Sequence, residues 1–471
     1  MKLLKHLLFA TLLPLLFGGC VSNLANSIGV DLSNSSQQDK MYIAGRYAEA
    51  ATLAYESKDK RASLDEANLL STLKAGNSYF YAKDYINSIK MLDESEDIIK
   101  FHHEETIGGS VADYMSQLML NDAAIDYHAT ISEAIMVNTY KSLDYMALGK
   151  HAQARVELNR AIDRQRRAKE TYAELIGKQK DAIAEKRREK RSAGFDKTLS
   201  NPTIKSIAQR NYSSLEQFQA YPDFVNPFTT YLAGLFFAIE GDYSKSSSLL
   251  KEVHGMVPKN KTVKADFEMV EDALSGKPIS EKYVWIIYEN GLGAVKSEYR
   301  INIPMFLFSP RLVYAGIALP KMHTREQATS SITVFSQGEK EQETSLVADM
   351  DRVVLTEFNY SYNDILTRAV FSAILKTYAQ YRANEKGGAV LGMAAGIFQS
   401  LTTHADTRVW NSLPKNFQIA RVKMPLDGKL LLKAGVKNLD VNLDTNAKYA
   451  VIYVKIPTVI SIPSVSIINF Y

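Results

Sequence analysis

The most specific chemistry-bearing stretch is His404-Ala405-Asp406-Thr407-Arg408-Val409-Trp410, followed by Leu413-Pro414. A carboxylate two residues from a histidine can orient its imidazole as a general base, and an arginine beside them can hold an anion. No nucleophile and no second acid accompany them. The favoured reading is therefore structural: a helix-to-strand junction in which Asp406 caps or pairs with Arg408 and Trp410 fills the core. An active or binding site centred on His404, Asp406 and Arg408 is kept as the alternative. His102-His103-Glu104-Glu105 is the densest run of ligand-type side chains, but it lacks the spacing that sets two histidines on one helix face. Gly291-Leu292-Gly293 lacks a third glycine and reads as a turn, and no serine sits in a nucleophile elbow. No catalytic residue, cofactor or metal is expected.

The remaining reactive group is the one cysteine, Cys20. It follows Lys2, Lys5, an apolar run from Leu7 to Phe17, and Gly18-Gly19. The run falls short of the about 20 residues that span a bilayer, so 1–19 reads as a signal peptide. Small residues before a cysteine resemble a bacterial lipoprotein signal. One departure is Phe17, where that signal usually has leucine three before the cysteine. The expected outcome is cleavage before Cys20 and attachment of thioether-linked diacylglycerol and palmitate to the new terminus. Two or three acyl chains anchor stably where one is marginal. The alternative is a buried free thiol behind an ordinary signal peptide. Residues 20–38 are polar and are expected to form a flexible tether. Val21, rather than aspartate, favours the outer membrane with the body facing the periplasm.

Composition narrows the classes. Lys+Arg number 56 and Asp+Glu 52, a net charge of +4, which gives no whole-protein grip on nucleic acid. With 46% hydrophobic and 23% charged residues, the 471-residue chain is globular in character and has ample apolar material for a core.

The elements that must carry these residues divide near Lys277-Pro278 into an α+β arrangement. Residues 39–276 are predicted to be helical and 277–471 mixed. Three helical segments share a pattern: Ala75-Gly76, Tyr79, Lys83-Asp84-Tyr85, Ser88, Leu92; Tyr145, Gly149-Lys150-His151, Ala154, Leu158; and Ala233-Gly234, Phe237, Gly241-Asp242-Tyr243, Ser246, Leu250, closing at Pro258. Gly45-Arg46-Tyr47 reads as a broken cap of the same kind. The pattern resembles the tetratricopeptide repeat, two helices joined by a tight turn, with small residues where the helices touch. The units are too irregularly spaced for a regular array, so an irregular α-solenoid is expected. The resemblance implies a peptide groove lined by first helices: Leu73, Asn77 and Phe80; Thr139, Leu143 and Met146; Tyr231, Leu235 and Ala238. Plain hairpins packed on the C-terminal part are the alternative. Asn226-Pro227 is expected to start a helix. Residues 156–191 read as a charged, protruding helix, basic between Lys178 and Arg191, and suited to anionic envelope polymer or lipid headgroups.

Strands are predicted at 283–288 and 299–303, and at 331–335, 416–424, 429–433 and 449–456, with an edge or extended arm beyond Pro457 and Pro463. Two helices are expected between them, at 363–383 and 388–401. In the second, Gly388, Gly392 and Gly396 form a small-residue stripe that permits close helix pairing.

Asn226-Pro227-Phe228 with Tyr231-Leu232-Ala233-Gly234-Leu235, Tyr288-Glu289-Asn290-Gly291, Ala405 to Trp410 with Leu413-Pro414, and Ala420-Arg421-Val422 together resemble a group of bacterial lipoproteins. That group joins a tetratricopeptide-like half to a mixed domain and has no assigned chemistry. Its members are often encoded near a lipoprotein resembling activators of peptidoglycan synthases. The resemblance implies a non-enzymatic scaffold or adaptor in cell-envelope assembly, binding other envelope proteins. Regulation of a peptidoglycan synthase, and a domain acting on wall polymer through His404, Asp406 and Arg408, are the alternatives.

Overall fold

The computed structural model describes residues 31–58, 68–108, 126–189, 206, 225–304, 314–362, 365–366, 369, 372–373 and 404–471. Cys20 and the glycine stripe at 388–401 lie outside them, as does most of the helix expected at 363–383. Residues 350–362 just before it are helical.

Consecutive helices pair as hairpins: α1 (Asp31–Ala44) with α2 (Tyr47–Glu56), α3 (Leu69–Tyr81) with α4 (Tyr85–Gly108), α5 (Ile131–Ala147) with α6 (His151–Glu189), and α7 (Pro227–Ile239) with α8 (Tyr243–Met256); α9 (Lys261–Leu274) follows. The first helix begins at Asp31, inside the stretch expected to be a tether, and Gln38 on it is buried. The long charged helix begins at His151 rather than near 156.

All four hairpin turns close alike. Gly45, Lys83, Gly149 and Gly241 take positive φ of 83°, 64°, 68° and 80°. Each donates its N–H to the carbonyl three residues back, and the next residue donates to the carbonyl five back. This satisfies the last carbonyls of the first helix. The fragment at Gly45 is thus a full hairpin turn. The small positions act as expected: a Cβ on Gly76 would fall 2.6 Å from Leu92, and one on Gly234 2.9 Å from Leu250. Asn226 caps α7 by accepting the Phe228 N–H at 3.0 Å, with Pro227 in the first turn.

The C-terminal half holds β1 (Tyr283–Asn290), β2 (Val295–Pro304), β3 (Tyr314–His323), β4 (Thr333–Ser336), β5 (Glu339–Glu343), β6 (Ser345–Asp349), β7 (Asn416–Lys423), β8 (Lys429–Ala434), β9 (Lys437–Asn442), β10 (Tyr449–Ile456) and β11 (Ser464–Phe470). Among the described residues a five-stranded sheet runs β11-β10-β1-β7-β6, a four-stranded sheet runs β5-β4-β8-β9, and β2 and β3 form a two-stranded ribbon. β1 lies parallel to β10 and antiparallel to β7.

β1 is apolar on both faces because both are covered. Trp285 and Ile287 join the helical core with Tyr449, Val451, Tyr453, Phe417 and Ile419. Val284, Ile286 and Tyr288 join Ala450, Ile452, Val454 and the four-stranded sheet. The order of layers is therefore helices, five-stranded sheet, four-stranded sheet. Helices and sheet share one core rather than two.

Gly45 locks the start of this assembly to its end. A Cβ there would stand 2.2 Å from the Ile462 carbonyl oxygen, on a left-handed backbone. Gly45→Ala is expected to destabilise the protein by about 2 kcal/mol or more, from backbone strain and the lost contact. Denaturant unfolding measures it.

Candidate functional site

The expected groove residues come together, but facing inward. Leu73, Asn77, Phe80, Thr139, Leu143, Met146, Tyr231, Leu235 and Ala238 are all buried. Apolar character on nearly every side of α7 reflects this, since one face meets α8 and another the sheet. Phe80 packs edge-on against Tyr453 at 5.3 Å between ring centroids, and the neighbouring Phe228 stacks flat on Phe417 at 3.7 Å. Asn77 donates to Ser412 Oγ at 3.0 Å, and Thr139 Oγ1 lies 2.9 Å from Thr229 Oγ1. The groove reading is corrected accordingly: the sheet of the same chain fills the surface where a peptide would lie. The alternative reading, packing against the C-terminal part, describes what is seen.

At the centre of this interface lie two charges: Glu289, which falls in the Tyr288-Glu289-Asn290-Gly291 motif without a role attached to it, and Lys455, which no motif contains. Glu289 on β1 and Lys455 on β10 are fully buried, with Nζ 3.1 Å from Oε1. Tyr81 and Tyr140 donate to the same oxygen at 2.5 and 2.9 Å, and Tyr453 donates to Oε2 at 2.5 Å. Lys455 also donates to the Gly291 carbonyl at 3.0 Å. Burial, and then the Glu289 charge, hold the Tyr81, Tyr140 and Tyr453 hydroxyls well above the ordinary tyrosine value, so they stay protonated donors. Burial pulls the Lys455 ammonium down, against the attraction of Glu289. In the sequence, both charges stand near the ends of largely apolar strands, which marks their position but not their partners.

A second polar knot ties α7, α9, β1 and β7. Asp266 accepts from Tyr231 Oη at 2.7 Å, Arg421 Nη1 at 2.7 Å and Trp285 Nε1 at 3.2 Å. Burial raises its carboxyl, and Arg421 opposes this. A third lies within the helices: buried Lys141 reaches Glu96 at 2.6 Å, Asp93 at 2.7 Å and Glu157 at 3.2 Å. Arg164 adds a contact to Glu96 at 3.0 Å.

His404, Asp406 and Arg408 do not form the arrangement a general base needs. Asp406 Oδ1 accepts from the Arg408 N–H and Nε, each at 2.9 Å. His404 Nδ1 turns instead to Glu298 of β2 at 3.2 Å, with Arg300 Nη2 at 3.1 Å. The Trp410 ring is buried, as expected of a core plug, and the residue's backbone N–H donates to Glu133 at 2.9 Å. His102 stacks on His128 with ring centroids 4.2 Å apart. Among the described residues no group of three or more metal-binding side chains occurs, and no helix is long and apolar enough to cross a membrane.

Two features face outward. α6 has 39 residues and is about 58 Å long. Its first half packs on α5 and α7, while Ala173, Glu174 and Asp181 further along are exposed. Where α6 passes α7 and α8, a cavity of about 310 Å³ is lined by Gln165, Arg166, Lys169, Glu170, Thr230 and Glu252, among others. Burial raises the Glu252 carboxyl, against Arg166. Compared with known proteins, the chain matches no family model and no curated protein.

Glu289→Gln and Lys455→Met are each expected to cost about 3–5 kcal/mol, because each leaves the other group buried without its partner. The double variant should lose at least about 1 kcal/mol less than the sum, read from denaturant curves. Glu96 generates a pH dependence. Burial raises its carboxyl, but Lys141, Arg164 and Lys100 outweigh this and bring it down to about 2. Its stabilisation is complete above the unfolded carboxylate range and is lost as pH falls toward the folded value. Stability measured from about pH 5 to pH 2 should therefore fall less steeply in Glu96→Gln than in the parent.

Proposed function

We propose that the protein is a lipoprotein anchored through Cys20 to the outer membrane, facing the periplasm, and acting as a non-enzymatic scaffold in bacterial envelope assembly. The signal-like sequence ending at Cys20 supports the anchor. The helical hairpins, which share the turns and small contact positions of tetratricopeptide units, support a protein-binding role and an irregular solenoid-like layer.

The observation that carries the scaffold reading is the shared core between helices and sheet. It fixes the body as one piece and closes the inner helical face. A partner would then engage the outer helices and the long α6, and the basic sequence from Lys178 to Arg191, which begins on that helix, suits an anionic surface. Control of a peptidoglycan synthase is a narrower form of the same role.

Mass spectrometry of the protein from its own membranes should find Cys20 as the first residue, carrying thioether-linked diacylglycerol. An intact leader or a bare thiol would end the anchor reading. Proximity labelling from the mature protein in cells should mark a reproducible set of envelope proteins. Replacing Lys186, Arg187, Arg188 and Lys190 by glutamate should reduce that labelling several-fold. Labelling no different from that of an unrelated periplasmic lipoprotein would end the scaffold reading.

A further inference from the structure

Val459, Ile460 and Ile462 are 56%, 82% and 61% exposed on the turn between β10 and β11. Prolines 457 and 463 bound the turn, and its backbone is fixed. The Ser461 hydroxyl accepts the Thr458 N–H at 2.8 Å and donates to the Ile43 carbonyl. The Ile462 N–H donates to the Ala44 carbonyl at 3.1 Å, and the Ile462 carbonyl lies over Gly45. Three branched apolar side chains are thus held out into water by a pinned turn. From Ile456 to Tyr471 the chain carries no charged side chain. This region offers a polar partner little to pair with, whereas apolar surface leaves water at a lipid boundary without any counter-charge.

The position of the turn points to the same occupant. It rests on the last residues of α1, the helix into which the chain from Cys20 leads. The residues from 21 to 30 reach about 35 Å when extended, and α1 is about 21 Å long. A chain held in lipid at Cys20 can therefore bring the far end of α1, and the turn seated on it, to the same lipid surface. We propose that Val459, Ile460 and Ile462 form a membrane-contact turn. It enters the boundary between headgroups and acyl chains and sets the orientation of the body that Cys20 tethers. The proposal rests on the lipid-anchored reading above, and its test is independent of acylation.

The test uses the mature chain with Cys20→Ala, which has no acyl chain and no other cysteine. A cysteine placed by Ile460→Cys carries an environment-sensitive dye, and Val436→Cys on the β8–β9 turn of the small sheet serves as the control. With vesicles of phosphatidylethanolamine and phosphatidylglycerol, the dye at 460 should shift to the blue while the dye at 436 should not. The shift should survive high salt, because no ion pair drives it. In flotation, Ile460→Ser with Ile462→Ser should lower the vesicle-bound fraction by about tenfold or more. No shift at 460, equal shifts at both positions, or flotation unchanged by the serines would overturn the proposal. Acylation of Cys20 is read separately by mass. An acylated native protein whose turn ignores vesicles defeats only the turn, and a turn that binds in a protein never acylated defeats only the anchor.

Discussion

A carboxylate and an ammonium that have both left water set the terms for the rest of this structure. Glu289 and Lys455 are direct neighbours in the parallel register of β1 and β10. Burying either alone costs several kcal/mol, and pairing offsets this only when the remaining lone pairs and protons are also satisfied. The hydroxyls that satisfy them come from α3, α5 and β10, through Tyr81, Tyr140 and Tyr453. The ion pair is therefore tolerable only with the helical layer seated on the sheet. That makes the cluster a registration device for the whole body, and the Asp266 knot repeats the logic at α7 and α9.

This seating has a direct bearing on function. First helices of repeat-type hairpins usually offer their inner face to a ligand, and here that face is the interior of the chain. Asn77 meets the segment leading into β7, Phe80 meets the sheet, and Tyr231 reaches Asp266 on α9 within the same core. Any binding capacity is displaced to the outer helices, the long α6 and the turns at the sheet ends. Turning away from Asp406 is equally consequential for His404. Its imidazole meets Glu298 on the β2–β3 ribbon, so this segment fastens the ribbon to the junction that leads into Trp410.

What could be read from the residues was local. Gly149, Gly241, Asn226-Pro227 and the small positions Gly76 and Gly234 marked hairpins because left-handed turns, caps and close helix contacts each admit few side chains. Strands β1, β7, β8 and β10 announced themselves by apolar, branched runs, whereas β5 and β9 did not, because their exposed, polar edge positions carry little apolar pattern. The helix at Asp31 was missed because its sequence is nearly as polar as a tether, and the burial of Gln38 and Tyr42 comes from what packs over them.

Read alone, the residues mark the hairpin turns, most of the paired helices and the central strands, and a single sulfur standing where a lipid anchor would. Closure of the helical inner face, the turn of His404 toward Glu298 and the meeting of Glu289 with Lys455 across 166 positions of chain come from the assembled fold alone. The reason is physical. Turn and cap preferences act over a few residues and leave their mark on local composition. Burial of a face or pairing of distant charges depends on which strands become neighbours, and a parallel crossover between β1 and β10 leaves no local mark at all.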